Sequence, residues 1–201
     1  MTPTITTPVT LTPEAQALLF TEARTANTFT DEPVTDEQVE KIYELTKYGP
    51  TAMNAQPLRV LLVHQDQRDR LLKHVADGNR DKTENAPLVA VLAADVDFHE
   101  HLPRVFPHAP GAKERFADPA AREHMARFNA SIQIGYFLLA VRAAGLAAGP
   151  MGGFDATGVD DEFFEGTGWR SLLLVNIGHP GENAWFDRLP RLDSDEALRV
   201  A

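Results

Sequence analysis

Strands and helices that alternate along one chain predict a sheet flanked by helices, of α+β or α/β class. Three observations carry this expectation. The run Leu88-Val89-Ala90-Val91-Leu92-Ala93-Ala94 is apolar without interruption, as a strand covered on both faces requires. Thr35-Asp36-Glu37-Gln38 has the spacing of a capping box, which opens a helix. Residues 120–144 form the longest helical pattern, and 132–141 are apolar nearly all round, which predicts a buried central helix.

The elements follow in order. Residues 1–11 are Thr/Pro-rich and read as a loose segment ahead of one domain over 12–201. Thr12-Pro13-Glu14 reads as N-cap, first-turn proline and first-turn acid, and Ala17 to Phe20 continues that helix to about Ala23. A polar connection covers 24–29. The helix after the capping box is expected to bury Val39, Ile42, Tyr43 and Leu45. Residues 59–64 read as a strand, and 66–76 as an amphipathic helix stopped at Gly78. From 99 to 119, four prolines and mixed charges predict an irregular excursion with little helix. Gly145 ends the long helix, and 150–155 read as a glycine-bearing turn. A short helix over 159–164 precedes a third strand over 169–177, closed by Gly178-His179-Pro180. Residues 181–201 form a C-terminal extension with a short acidic helix from Asp193.

Composition removes several function classes. The formal net charge is -10, from 19 basic and 29 acidic residues, with no Lys/Arg run to meet nucleic acid or an anionic membrane. The chain has no cysteine, which excludes disulfides, thiol nucleophiles, cysteine-ligated zinc and iron–sulfur clusters. No apolar run is long enough to span a bilayer and the N-terminus lacks signal-peptide character, so a cytoplasmic protein is expected. No P-loop, dinucleotide fingerprint or Ser/His/Asp arrangement is present. His99 and His101 have the spacing of a metal pair on a strand, but no further ligands complete a site, so no metal is expected.

The richest stretch is Tyr48-Gly49-Pro50-Thr51-Ala52-Met53-Asn54-Ala55-Gln56-Pro57. Proline fixes the backbone, while Asn54 and Gln56 offer donors and acceptors together. That combination suits a flat ligand edge carrying both kinds of group, such as a flavin pyrimidine ring. The plainer alternative is a rigid helix-to-strand turn. Four further segments stand with it: Arg24-Thr25-Ala26-Asn27, Gly78-Asn79-Arg80-Asp81-Lys82, Pro150-Met151-Gly152-Gly153 and Arg188-Leu189-Pro190-Arg191.

In this order and spacing the segments resemble the nitroreductase family of flavin mononucleotide (FMN) oxidoreductases, over nearly the whole chain after the first dozen residues. The resemblance is closer to one branch, the malonic semialdehyde reductases of bacterial pyrimidine catabolism. It is carried by Phe20-Thr21-Glu22-Ala23-Arg24-Thr25, Gly49-Pro50-Thr51, Leu102-Pro103-Arg104-Val105-Phe106-Pro107-His108 and Gly149-Pro150-Met151. Gly153-Phe154-Asp155, Val159-Asp160-Asp161, Asn176-Ile177-Gly178 and Arg188-Leu189-Pro190-Arg191 complete the set.

The resemblance implies an α+β nitroreductase-like fold, with a mixed central sheet flanked by helices and two copies in an intertwined homodimer. It implies an FMN-dependent oxidoreductase using NADH or NADPH and reducing a small electrophile, with malonic semialdehyde to 3-hydroxypropionate as the reaction. A broad nitroaromatic, quinone or enone reductase is the alternative, and a non-catalytic FMN-binding or sensing protein is an alternative of another class. Arg24, Thr25 and Arg188 or Arg191 would meet the phosphate, which needs fixed positive charge. Asn27 stands where relatives often carry Lys or Arg. Asn79 and Lys82 would lie at the ribityl chain and the N1–C2 edge, where positive charge favours the reduced ring. Pro50, Thr51, Ala52, Asn54 and Gln56 would contact the ring, with Pro150, Met151, Gly152 and Gly153 near its reactive face. Many relatives carry an acid at the position of Gly152. Arg104, His108 and Arg115, in the excursion, are candidates for a substrate carboxylate. No catalytic side chain is expected beyond these, because the flavin carries the hydride.

Overall fold

The computed structural model describes residues 10–201, so most of the expected loose segment 1–11 lies outside the described residues. The helices are α1 (Pro13–Gln16), α2 (Asp36–Thr46), α3 (Arg68–Leu72), α4 (Asp77–Glu84), α5 (Leu102–Val105), α6 (Pro119–Ala143), α7 (Ala156–Phe163) and α8 (Ser194–Ala197). The strands are β1 (Leu58–Val63), β2 (Leu88–Asp95), β3 (Ala147–Met151) and β4 (Trp169–Gly178), in the order β1-β2-β4-β3. The α+β class holds. All three strand pairs are antiparallel, so a parallel member of the expected mixed sheet is not among this chain's described strands. Among the described residues, no helix is long and apolar enough to cross a membrane.

The central strand β2 is buried at every position, as its sequence requires. Its alternation feeds two cores. Leu88, Ala90 and Leu92 pack with Val39 and Ile42 of α2 and with Phe137, Ala140 and Val141 of α6. Val89, Val91 and Ala93 pack on the opposite face with Leu71 of α3 and Val159 of α7. A third cluster joins Phe98 and Leu102 to Ala126 and Ala130 of α6. The sheet is therefore sandwiched between helical layers, with both faces of β2 buried.

Local chemistry sets the ends. Thr12 accepts from the Ala15 N–H at 3.3 Å, and Thr35 with Gln38 forms the capping box of α2. Asp193 with Glu196 forms a second capping box at α8.

Six expectations need correction. Tyr43 and Leu45 are exposed, because the buried stripe of α2 runs through Val39, Ile42 and Thr46. The first helix changes to a π turn over Ala17–Thr21, leaving Leu18 and Phe20 exposed. The helix expected over 66–76 ends at Leu72, and Gly78 lies inside a separate helix, α4, rather than stopping one. The glycine-bearing turn at 150–155 begins inside β3, whose Ala, Gly and Pro content lacks strand propensity; Pro150 is tolerated because β3 is an edge strand. Finally, α6 is not buried all round: Phe128, Gly135 and Tyr136 open onto the surface beside half-buried Ile132. The excursion contains only short helical turns, and His99 and His101 sit on one of these, Phe98–His101, rather than on a strand.

Candidate active site

The stretch 51–57 folds as a turn in which three non-glycine residues adopt left-handed backbone: Met53 at φ 56°, Asn54 at 50° and Gln56 at 45°. Each such residue costs of order 1 kcal/mol or more, so the surroundings must enforce the conformation. Two buried carboxamides of α6 do so. Asn129 Oδ1 accepts the Ala52 N–H at 2.7 Å, and Gln133 Oε1 accepts the Leu58 N–H at 3.0 Å. Asn129 and Gln133 are one helical turn apart, so a single face of α6 holds both ends of the turn. Sequence reasoning missed this pair; the available signal was two carboxamides at i, i+4 in an otherwise apolar helix. Within the turn, Thr51 Oγ1 accepts the Gln56 N–H at 3.2 Å. Asn54 donates to the Val105 carbonyl at 2.8 Å and accepts from Gln56 Nε2 at 2.9 Å. The two carboxamides are thus partly engaged with the protein. Pro50 and Ala52 are exposed beside them.

The turn borders a groove of about 960 Å³ between α2, β1 and the excursion. Gln56, Arg59, His101, Arg104 and Trp169 line it, with Glu40 and Glu44 on the α2 side. Arg104 therefore shares a cavity with Gln56. His108 instead lies against Phe106, with ring centroids 4.0 Å apart, and Arg115 is exposed on the turn Lys113–Phe116. Neither lines the groove. Asp95 braces this end of the sheet through Arg59 at 2.5 Å.

The two basic segments meet although far apart in sequence. Arg24, Thr25 and Asn27 line one cavity of about 250 Å³ with Arg188, Arg191 and Asp187. The path of residues 24–30 explains the meeting. Ala26 N–H donates to the Ala148 carbonyl of β3, and Asn27 N–H to the Ala184 carbonyl, each at 3.0 Å. Thr28 Oγ1 donates to the Glu182 carbonyl at 2.7 Å. This lacing demands Gly149, since a Cβ there would stand 2.6 Å from the Ala26 carbonyl oxygen. Arg188 donates to the carbonyls of Thr21 and Ala23, at 2.5 and 3.0 Å. Arg24 meets Glu22 at 3.7 Å, while its buried Nε has no partner among the described residues. An orphaned guanidinium donor between further arginines fits a multivalent anion.

A third group adjoins β3. Asn79 of α4 donates to the Gly153 carbonyl at 3.1 Å, and a Cβ at Gly153 would stand 2.4 Å from Asn79 Nδ2. Gly152 has open space where a side chain would go. Pro150 is half-buried, whereas the Met151 side chain is core and reached by Thr83 Oγ1 at 3.4 Å. Met151 can offer a ligand little beyond its backbone. Lys82, in the last turn of α4, is half-buried, and its carbonyl accepts from Asn176 Nδ2 at 2.9 Å. Asn176 Oδ1 is buried and has no partner among the described residues. Arg68 anchors the end of α4: fully buried, it donates to the carbonyls of Val63, Thr83 and Ala86, and burial pushes its guanidinium down to about 10. Sequence reading missed Arg68, and it took Asn176 only as part of the phrase Asn176-Ile177-Gly178, with no role at the site.

Most of the expected residues fall into two assemblies in one chain, which His108 and Arg115 do not join. One is the 50–56 turn with Arg104. The other is the arginine cradle, and through Gly149 the adjoining β3, Gly152–Gly153, Asn79 and Lys82. The turn with Arg104 and the cradle line separate cavities.

The sequence matches the profile of the Nitroreductase family over residues 21–179. A protein of Streptomyces griseus, provisionally described as an NADH dehydrogenase/NAD(P)H nitroreductase, is 58% identical over 190 residues, covering 94% of this chain and 96% of its own. Among solved structures, a Bacillus subtilis protein described as a nitroreductase superposes with a TM-score of 0.81 at 21% identity, over 94% of this chain and 99% of that one. An enone reductase of gut-bacterial fatty acid saturation gives 0.80 at 16% identity, over 94% and 98%. An Exiguobacterium sibiricum protein in complex with FMN gives 0.76 at 16% identity, over 89% and 93%.

Proposed function

The chain belongs to the nitroreductase family and is an FMN-dependent NAD(P)H oxidoreductase; from that premise we propose that it reduces small electrophiles of several kinds, nitroaromatics, quinones and enones among them, at a site shared by two copies. The observation that carries the reading is the arginine cradle with the orphaned Arg24 Nε, which fits the phosphate of FMN. The breadth of acceptor is supported by the nitroreductase description of a 58% identical relative.

Bound FMN supplies hydride transfer between NAD(P)H and the acceptor. The chain's own residues do the rest. Arg24, Arg188 and Arg191 hold the phosphate, with Thr25 and Asn27 beside them. Lys82 places positive charge next to the ring edge, and Asn79 holds the Gly152–Gly153 backbone in position. Gly152, with no side chain and open space above it, leaves room over the reactive face. The 51–56 turn presents Thr51, Asn54 and Gln56 to the ring from the second copy.

The two-copy arrangement is supported by three features of the single chain. The turn with Arg104 and the arginine cradle line separate cavities. The outward face of α6 leaves Phe128 and Tyr136 open. The C-terminal extension leaves Leu189, Leu192 and Leu198 largely exposed. An intertwined homodimer covers all three.

Malonic semialdehyde, giving 3-hydroxypropionate, is a second reading. Arg104 favours it, since a cation in the groove beside Gln56 suits a substrate carboxylate. Steady-state oxidation of NADH and NADPH against a panel of acceptors tests both. Turnover of nitroaromatics and quinones well above that of the aldehyde supports the broad reading. Strong preference for the aldehyde, lost in Arg104→Ala, supports the second. No coenzyme oxidation with any acceptor would contradict both.

A further inference from the structure

Arg142, in the last turn of α6, is not explained by the packing around it. It is half-buried, and its guanidinium reaches one protein acceptor, the Leu19 carbonyl, at 3.4 Å. That is the long limit of a hydrogen bond. Among the described residues no carboxylate pairs with Arg142, Arg188 or Arg191; Glu22 lies 3.7 Å from Arg24, and Asp187 lines the cradle. Arg142 and Arg24 line one small cavity of about 210 Å³ together with Glu22 and Trp185. Arg24 also lines the neighbouring cradle with Arg188 and Arg191. Burial first, and then the charge of Arg188, hold the Arg142 guanidinium below its ordinary range. Several guanidiniums therefore converge from α6, from residues 24–27 and from the C-terminal extension. Like charges gathered this closely repel one another, and an anion entering among them relieves that repulsion.

We propose that Arg142 is a binding residue for the FMN phosphate, the member of the arginine group that approaches from α6. The inference rests on the FMN reading above and extends it. A phosphate dianion can accept from several guanidinium forks at once. Arg142 has donors to spare, and Arg24 has an unpartnered Nε beside it. The same geometry would suit the extra phosphate of NADPH, so the test must separate the two.

The measurement is competition between FMN and riboflavin, which lacks the phosphate, for the full-length chain. Losing one charge-assisted contact in Arg142→Met should weaken FMN by about tenfold or more. Riboflavin affinity should stay unchanged, and Arg142→Lys should recover part of the loss. Arg142→Gln, read by the same ratio, serves if the methionine variant fails to fold. Equal weakening of FMN and riboflavin would mean a structural role and overturn the proposal, as would unchanged FMN affinity. A raised KM for NADPH but not NADH, with FMN affinity intact, would assign the arginine to the coenzyme and also overturn it. A parent protein that binds FMN no better than riboflavin would defeat the underlying FMN reading itself.

Discussion

Asn129 Oδ1 accepts the backbone N–H of Ala52 across 77 positions of sequence, at 2.7 Å, and so ties the left-handed turn to the central helix. The strained backbone at Met53, Asn54 and Gln56 persists because α6 grips it here and, through Gln133, at Leu58.

Asn129→Ala leaves the Ala52 N–H without its acceptor in a partly buried place. The expected cost is about 1–3 kcal/mol, or roughly 2–4 °C of melting temperature per kcal/mol. Asn129→Asp keeps the acceptor but buries a carboxylate, so it should not restore full stability. Thermal melts of both variants check this, and a silent Asn129→Ala would show that the turn is held by other means.

Gly152 and Gly153 should answer differently to alanine. At Gly152 a methyl meets open space, so stability should shift by less than about 0.5 kcal/mol. At Gly153 it collides with Asn79 Nδ2 and pushes that side chain off the Gly153 carbonyl. Gly153→Ala should lower the melting temperature more than Gly152→Ala, as thermal melts of the two would read. Equal behaviour of the two would remove the positional argument.

Arg24 and Lys82 should also fail differently. Arg24→Ala loses a charge-assisted phosphate contact worth about 1.5–3 kcal/mol and, once saturated with FMN, should turn over nearly normally. Lys82→Ala should retain more FMN but show a lower midpoint potential and slower reduction by NADH, since the ring edge loses a neighbouring positive charge. Stopped-flow reduction and potentiometry separate the two. A Lys82→Ala variant reduced as fast as the parent would place that ammonium away from the ring.

Much of the architecture was readable in the residues. β2 is a strand because seven consecutive apolar residues need cover on both faces, and α2 starts where Thr35 and Gln38 cap it. β3 was hidden because Ala147-Ala148-Gly149-Pro150 carries no strand propensity; it pairs because β4 offers a buried edge. α4 was hidden because Gly78 reads locally as a stop, whereas the helix is enforced by Arg68 on its last carbonyls. In the site, Arg24 and Arg188 were legible as chemistry and the structure brings them into one cradle. Asn129, Gln133 and Arg68 were not, because their partners are backbone groups whose positions no local pattern encodes. Tyr43 and Tyr136 read as core from the apolar pattern of their helices, yet both are exposed in the chain, where the proposed second copy would cover them.

That last point leads to the central claim, a site divided between two copies, and mixing complementary variants tests it most directly. One chain carries Asn54→Ala with Gln56→Ala, which damages the turn; the other carries Arg24→Ala with Arg188→Ala, which damages the cradle. Each alone should have little NADH-dependent activity at limiting FMN. If a site takes its turn from one copy and its cradle from the other, every mixed pair holds one undamaged site, and activity returns when the two are unfolded together and refolded. If each site is complete within one chain, every site in the mixture carries a lesion, and activity stays at the level of the separate variants.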